Sequence, residues 1–82
     1  MNLNNIKHYR LMCGWTQEDL AYALATYKYK HKISVSCTKQ AISQWETCGA
    51  LPLIETAIAL TRIFSTKLKK KITIEDLIIS DH

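Results

Sequence analysis

An 82-residue chain that is 48% hydrophobic, with a formal net charge of +4, has room for a single domain over residues 1–82, and a core of that size hides only about 60% of the surface its unfolded form exposes. Its three cysteines, Cys13, Cys37 and Cys48, are odd in number, lack CxxC spacing and make no metal-ligand pattern with the three histidines. That composition excludes a disulfide framework and a zinc site and favours a reducing, cytoplasmic setting with no metal or cofactor.

Apolar residues recur mostly at helical spacing. The first helix is expected over about residues 4–13, with Ile6, Tyr9 and Cys13 on one face and Gly14 as the left-handed residue that ends it. Thr16, with Asp19 three residues on, forms a capping-box start. Leu20, Ala21, Leu24 and Tyr27 then carry a second helix to about Tyr29. The stretch "KHKISVSC" follows, and its β-branched residues and serines predict a linker or a short extended piece. Thr38 is a good N-cap for a third helix, whose Ala41, Ile42 and Trp45 point inward while Lys39, Gln40, Ser43 and Gln44 share the opposite face. "TCGAL" breaks that helix, and Pro52 is placed at the start of a fourth, where its missing N–H costs nothing. Ile54, Ala57, Ile58, Leu60 and Phe64 are expected to be its buried face, and "STKLKKK" a lysine-rich link. Thr73 with Asp76 caps a short fifth helix. The fold class is all-α.

Charge is segregated along the chain. Residues 26–45 hold Lys28, Lys30, Lys32 and Lys39 without one acid, a distribution suited to a polyanionic partner. No apolar run reaches the roughly 20 residues of a membrane helix, and Lys7, His8 and Arg10 interrupt the region where a signal peptide needs an apolar stretch. The few polar residues assemble no nucleophile, base and orienter, so an enzyme is not expected. Two short amphipathic helices beginning at Thr16 and Thr38 suggest a helix-turn-helix, whose second helix enters the major groove. Gln suits bidentate contact with adenine and Lys with guanine; a plain solvated helix face has the same composition.

"IKHYRLMCGWTQEDLA", "AISQWE", "PLIETAIALTRIF" and "ITIEDLI", in that order, resemble the lambda-repressor and Cro-like helix-turn-helix family, also called the XRE family. The resemblance runs from about Ile6 to Ile78. It implies a five-helix, lambda-repressor-like DNA-binding domain that regulates transcription by reading an operator in double-stranded DNA, commonly as a homodimer on two half-sites. It implies base contacts from Lys39, Gln40, Ser43 and Gln44, phosphate contacts from Thr16, Gln17 and Thr38, and a structural salt bridge between Arg10 and Glu46. No small-molecule ligand is implied. Three departures stand out. Thr16 and Ile42 lie 26 positions apart, an extended connection between helices 2 and 3. The loop after the third helix lacks the family's basic residues. The fourth and fifth helices are joined by a longer lysine run. Lys28, Lys30 and Lys32 in the insert are therefore expected at phosphates in place of the missing loop charges. An antitoxin or adaptor of the same fold is the alternative, with Ile78 and Ile79 as its dimer or partner seam.

Overall fold

The structure, a computed structural model, describes residues 4–78. Five helices follow in chain order: α1 (Ile6–Met12), α2 (Gln17–His31), α3 (Lys39–Thr47), α4 (Ile54–Leu68) and α5 (Ile74–Leu77). There is no strand among the described residues, only an isolated antiparallel bridge between Asn4 and Ile78. The all-α class and the count of five agree with the sequence pattern.

Local chemistry sets most of the boundaries. Thr16 and Asp19 close a reciprocal capping box: the Asp19 N–H donates to Thr16 Oγ1 at 3.1 Å and the Thr16 N–H to Asp19 Oδ2 at 2.9 Å. Thr38 accepts the Ala41 N–H at 3.1 Å, so α3 starts where its cap dictates. Gly14 takes φ +74° beyond the last turn of α1, a conformation that penalises any side chain. Two ends have no such signal. Lys32 and Lys69 adopt φ 53° and φ 55° as left-handed caps of α2 and α4, positions where glycine is usual.

Three boundaries differ from the sequence pattern. Helix α1 is shorter than residues 4–13, because Asn4 and Asn5 are spent on tertiary bonds. Pro52 lies outside α4, since Leu53 is the extended N-cap (φ −61°, ψ 156°) and the helix begins at Ile54. The lysine-rich link is also shorter than expected: Ser65, Thr66, Lys67 and Leu68 are helical, as lysine is a good helix former and nothing breaks the chain there.

The core joins Ile6 and Tyr9 of α1, Leu20 and Leu24 of α2, Ile42 and Trp45 of α3, and Ala57, Ala59, Leu60 and Phe64 of α4, with Val35, Ile72 and Leu77. Phe64 is fully buried at the centre, its ring 5.7 Å from that of Tyr9 and 6.4 Å from that of Trp15, within the range of favourable aromatic pairs. The insert is anchored to this core. Ile33, Val35 and Cys37 turn inward while Ser34 and Ser36 face solvent, the period-two pattern of extended chain. Thus α2 continues to His31, and the remaining insert is an extended strap held by Val35. Side-chain amides tie the ends together: Asn4 Nδ2 donates to the Trp45 carbonyl at 2.9 Å, and Asn5 Nδ2 to the Asp76 carbonyl at 2.8 Å.

Asp76 makes the fold sensitive to acid. Its carboxylate accepts the Thr73 N–H at 3.0 Å and the Thr73 hydroxyl at 3.1 Å, and these two bonds hold its carboxyl below the usual aspartate value, with Lys70 adding to the effect against some desolvation. The unfolded chain therefore takes up this proton first as pH falls. The contribution is complete above the ordinary aspartate pKa and disappears as pH drops through the lowered folded one. Urea midpoints measured from about pH 5 down to about pH 2 should fall less steeply in Asp76→Asn than in the parent, because this titration is gone.

Candidate nucleic-acid interface

Helix α3 is held by one face and open on the other. Ile42, Trp45 and Glu46 are buried and Ala41 is half-buried, while Lys39, Gln40, Gln44 and Thr47 are exposed and Ser43 lies at the boundary. Nine residues make a rod about 13 Å long, a length that suits a major groove about 12 Å wide.

A buried polar network fixes the rod's direction. Arg10 on α1 meets Glu46 on α3 in a two-pronged ion pair, Nε to Oε2 at 2.7 Å and Nη2 to Oε1 at 3.0 Å. Its third nitrogen, Nη1, donates to the Trp15 carbonyl at 2.8 Å, which pins the turn between α1 and α2. Gln17 completes the group, donating from Nε2 to Glu46 Oε1 at 3.1 Å. Because the Arg10 and Glu46 side chains are 9% and 1% exposed, solvent screens the pair little, and each charge depends on the other. Among the described residues no buried side-chain nitrogen or oxygen is left without a partner.

Gln17 has a task inside the fold beside the phosphate contact implied by the resemblance. It is half-buried, and one N–H of its amide is engaged with Glu46, which leaves the second N–H to donate elsewhere. It orients Glu46, and so α3. Thr16 and Thr38 are exposed, and each hydroxyl oxygen accepts a backbone N–H. Each keeps its O–H proton to donate outward. Lys39 Nζ stands 3.9 Å from Glu18 Oε1, with the two side chains 57% and 77% exposed. So exposed a pair is a weak restraint, and the distance places the start of α2 beside the start of α3.

The insert lysines are all exposed. Lys28, Lys30 and Lys32 border an open cleft of about 720 Å³ that Ile33 and Cys37 also line. Cys37 immediately precedes the Thr38 cap, so the cleft adjoins the N-terminal end of α3. The structure thus brings Lys28, Lys30 and Lys32 to one cleft, joined to Thr38 through Cys37, whereas Lys39 lies beside Glu18 at the other end of α2.

The three cysteines are free. Burial pushes the Cys13 thiol up, against an opposing pull from Lys67, and so keeps it protonated and inert. No helix among the described residues is long and apolar enough to cross a membrane.

Sequence reasoning missed one surface feature. Ile54 and Ile58, expected in the core, are exposed together with Leu51 and Leu53. Ile78, expected at a seam, is half-buried against the core and bridged to Asn4, while Ile79 lies outside the described residues. The signal lies in the sequence, since apolar residues from Ile54 to Phe64 occupy more of the α4 circumference than one core can cover. Comparison with protein-family models, with curated proteins and with solved structures gives no match for the chain.

Proposed function

We propose that this protein is a sequence-specific double-stranded DNA-binding regulator of the lambda-repressor and Cro-like kind, reading the major groove with α3. The observation that carries the reading is the two-faced α3. Its inner face is locked by the Arg10–Glu46–Gln17 network, and its outer face presents Lys39, Gln40 and Gln44, preceded by the exposed insert lysines in an acid-free stretch of sequence. A helix fixed against rotation can place side chains at base edges with the repeatability that discrimination requires. Lys28, Lys30 and Lys32 supply the phosphate contacts, assisted by the Thr16 and Thr38 hydroxyls. This division of labour separates positioning contacts from base contacts.

Affinity for a pool of random duplexes, measured across a salt series, tests the reading. Duplex DNA should bind at low salt, with log affinity falling linearly against log salt. Lys30→Ala should weaken all sequences alike and reduce the slope by about 0.9, the counterion released at one phosphate. Absence of duplex binding at low salt would refute the proposal and favour a protein-partner module of the same fold.

A further inference from the structure

We infer that the cleft between α2 and α4 binds a nucleoside phosphate, with the base on its apolar floor and the phosphates at Lys30, Arg62 and Lys67. Two helix stripes build the cleft. Ala23, Tyr27 and Lys30 recur at i, i+4 and i+7 on α2, the spacing of one helix face. Ile63 and Lys67 lie four residues apart on α4 and line the same space, as does Trp15 from the turn before α2. The space is about 370 Å³, at the small end of the range for ligand clefts, about 300–1,000 Å³. That is room for one small molecule, not for a helix or a duplex.

The lining has two halves. Trp15, Tyr27 and Ile63 are half-buried and make a floor that suits the flat apolar face of a base. Lys30, Arg62 and Lys67 are exposed and line the same space. Among the described residues that line it none is acidic. The ion pairs among the described residues, Arg10–Glu46 and Lys39–Glu18, involve none of these three cations. Aromatic rings already position two of the polar groups. Lys67 Nζ stands 5.9 Å from the centre of the Trp15 ring, and the His31 ring lies 4.1 Å from that of Tyr27. An ammonium held over an indole needs less ordering when an anion arrives. Arg62 offers a planar fork suited to phosphate, and the lysines act as point charges. A diphosphate brings several negative charges where a simple carboxylate brings one, so it answers all three cations. Glu55 lines the adjoining cleft with His31 and Arg62 and repels phosphates there, which puts them on the Lys67 side of Arg62.

One consequence rests on the proposed DNA reading. Lys30 also lines the cleft of Lys28 and Lys32, where that reading assigns it to a duplex phosphate. A bound nucleotide draws it away, so nucleotide and duplex should weaken each other's binding by the same factor.

Isothermal titration calorimetry of the full chain without DNA tests the inference. The probes are adenosine and guanosine diphosphates, each compared with its nucleoside and with inorganic pyrophosphate. At least one diphosphate should bind one-to-one with a sub-millimolar Kd. Its nucleoside and pyrophosphate should each bind about 10-fold or more weakly, since each lacks one set of contacts. Arg62→Ala and Lys67→Ala should each weaken binding by roughly 10-fold. Lys71→Ala removes the same charge outside the cleft and should leave binding unchanged. All three positions are exposed, so each variant should keep the parent's urea midpoint. Binding of neither nucleotide overturns the inference. So does pyrophosphate binding as tightly as the nucleotides, or equal losses in Arg62→Ala and Lys71→Ala, which would mark diffuse attraction alone. Because no DNA is present, each of these failures leaves the DNA reading intact, and absence of duplex binding by a chain that binds nucleotide would count against that reading alone.

Discussion

Glu46→Ala is expected to lower stability by about 3–5 kcal/mol, the cost of leaving a buried charge without its partner. The Arg10 side chain is 9% exposed and would lose both of its carboxylate bonds, keeping only the one to the Trp15 carbonyl. Gln17 would lose its acceptor as well. For a domain of this length, total stability is on the order of 4–12 kcal/mol, so the substitution removes about a quarter of it or more. Equilibrium unfolding in urea reads the change directly. The reciprocal Arg10→Ala should cost a similar amount, because it strands the Glu46 carboxylate.

The double variant Arg10→Met, Glu46→Leu separates the worth of the pair from the penalty of breaking it. Apolar replacement of both charges should recover most of the loss, since neither remains to be desolvated alone. Recovery should stop short of the parent, because the Trp15 carbonyl and the Gln17 amide lose their partners. The two single costs are then strongly non-additive, as contacting residues are. A shift below about 1 kcal/mol for Glu46→Ala would match a solvent-exposed pair, and α3 would then need another explanation for its fixed orientation.

What the residues announced in advance is mostly what neighbours along the chain decide. Thr16 with Asp19, Thr38, and Thr73 with Asp76 each name a helix start, because a cap is a contact over three residues. The inward set of α3 was equally plain from spacing. Arg10–Glu46 was legible only through the family resemblance, since 36 residues separate the partners and no periodicity links them. Ile58 failed for a related reason: an isoleucine at helical spacing looks the same whether it faces the core or solvent, and only the arrangement of the other helices decides. Asn4 gave no signal either, although its amide reaches the end of α3. The insert was half legible. Its alternation of Ile33, Val35 and Cys37 with serines is an extended pattern, yet that Val35 is the residue pressed into the core is a tertiary fact.

Within the proposed function, Gln40→Ala combined with Gln44→Ala should sharply reduce preference among sequences while sparing affinity for arbitrary duplex. Each bidentate contact to a base contributes about 1–3 kcal/mol of discrimination, so losing two should reduce the ratio of preferred to random binding by roughly 10²- to 10⁴-fold. Neither glutamine carries charge, so the dependence on salt should be unchanged. Both are exposed and absent from the buried network, so the urea midpoint should stay within about 0.5 kcal/mol of the parent. Replacing Lys28, Lys30 and Lys32 together should produce the opposite pattern, with a salt slope smaller by about 2.7, weaker binding to every sequence and preserved preference. The preferred duplex can be obtained by selection from a random pool, and the parent and both variants compared on it. If the glutamine variant keeps its preference, base reading does not reside on the outer face of α3. If instead it loses all duplex binding at low salt, the lysine cluster is not the source of affinity. The outer face of α3 and the insert lysines thus predict two independent failures, one in choice of sequence and one in strength, and each belongs to a different set of side chains.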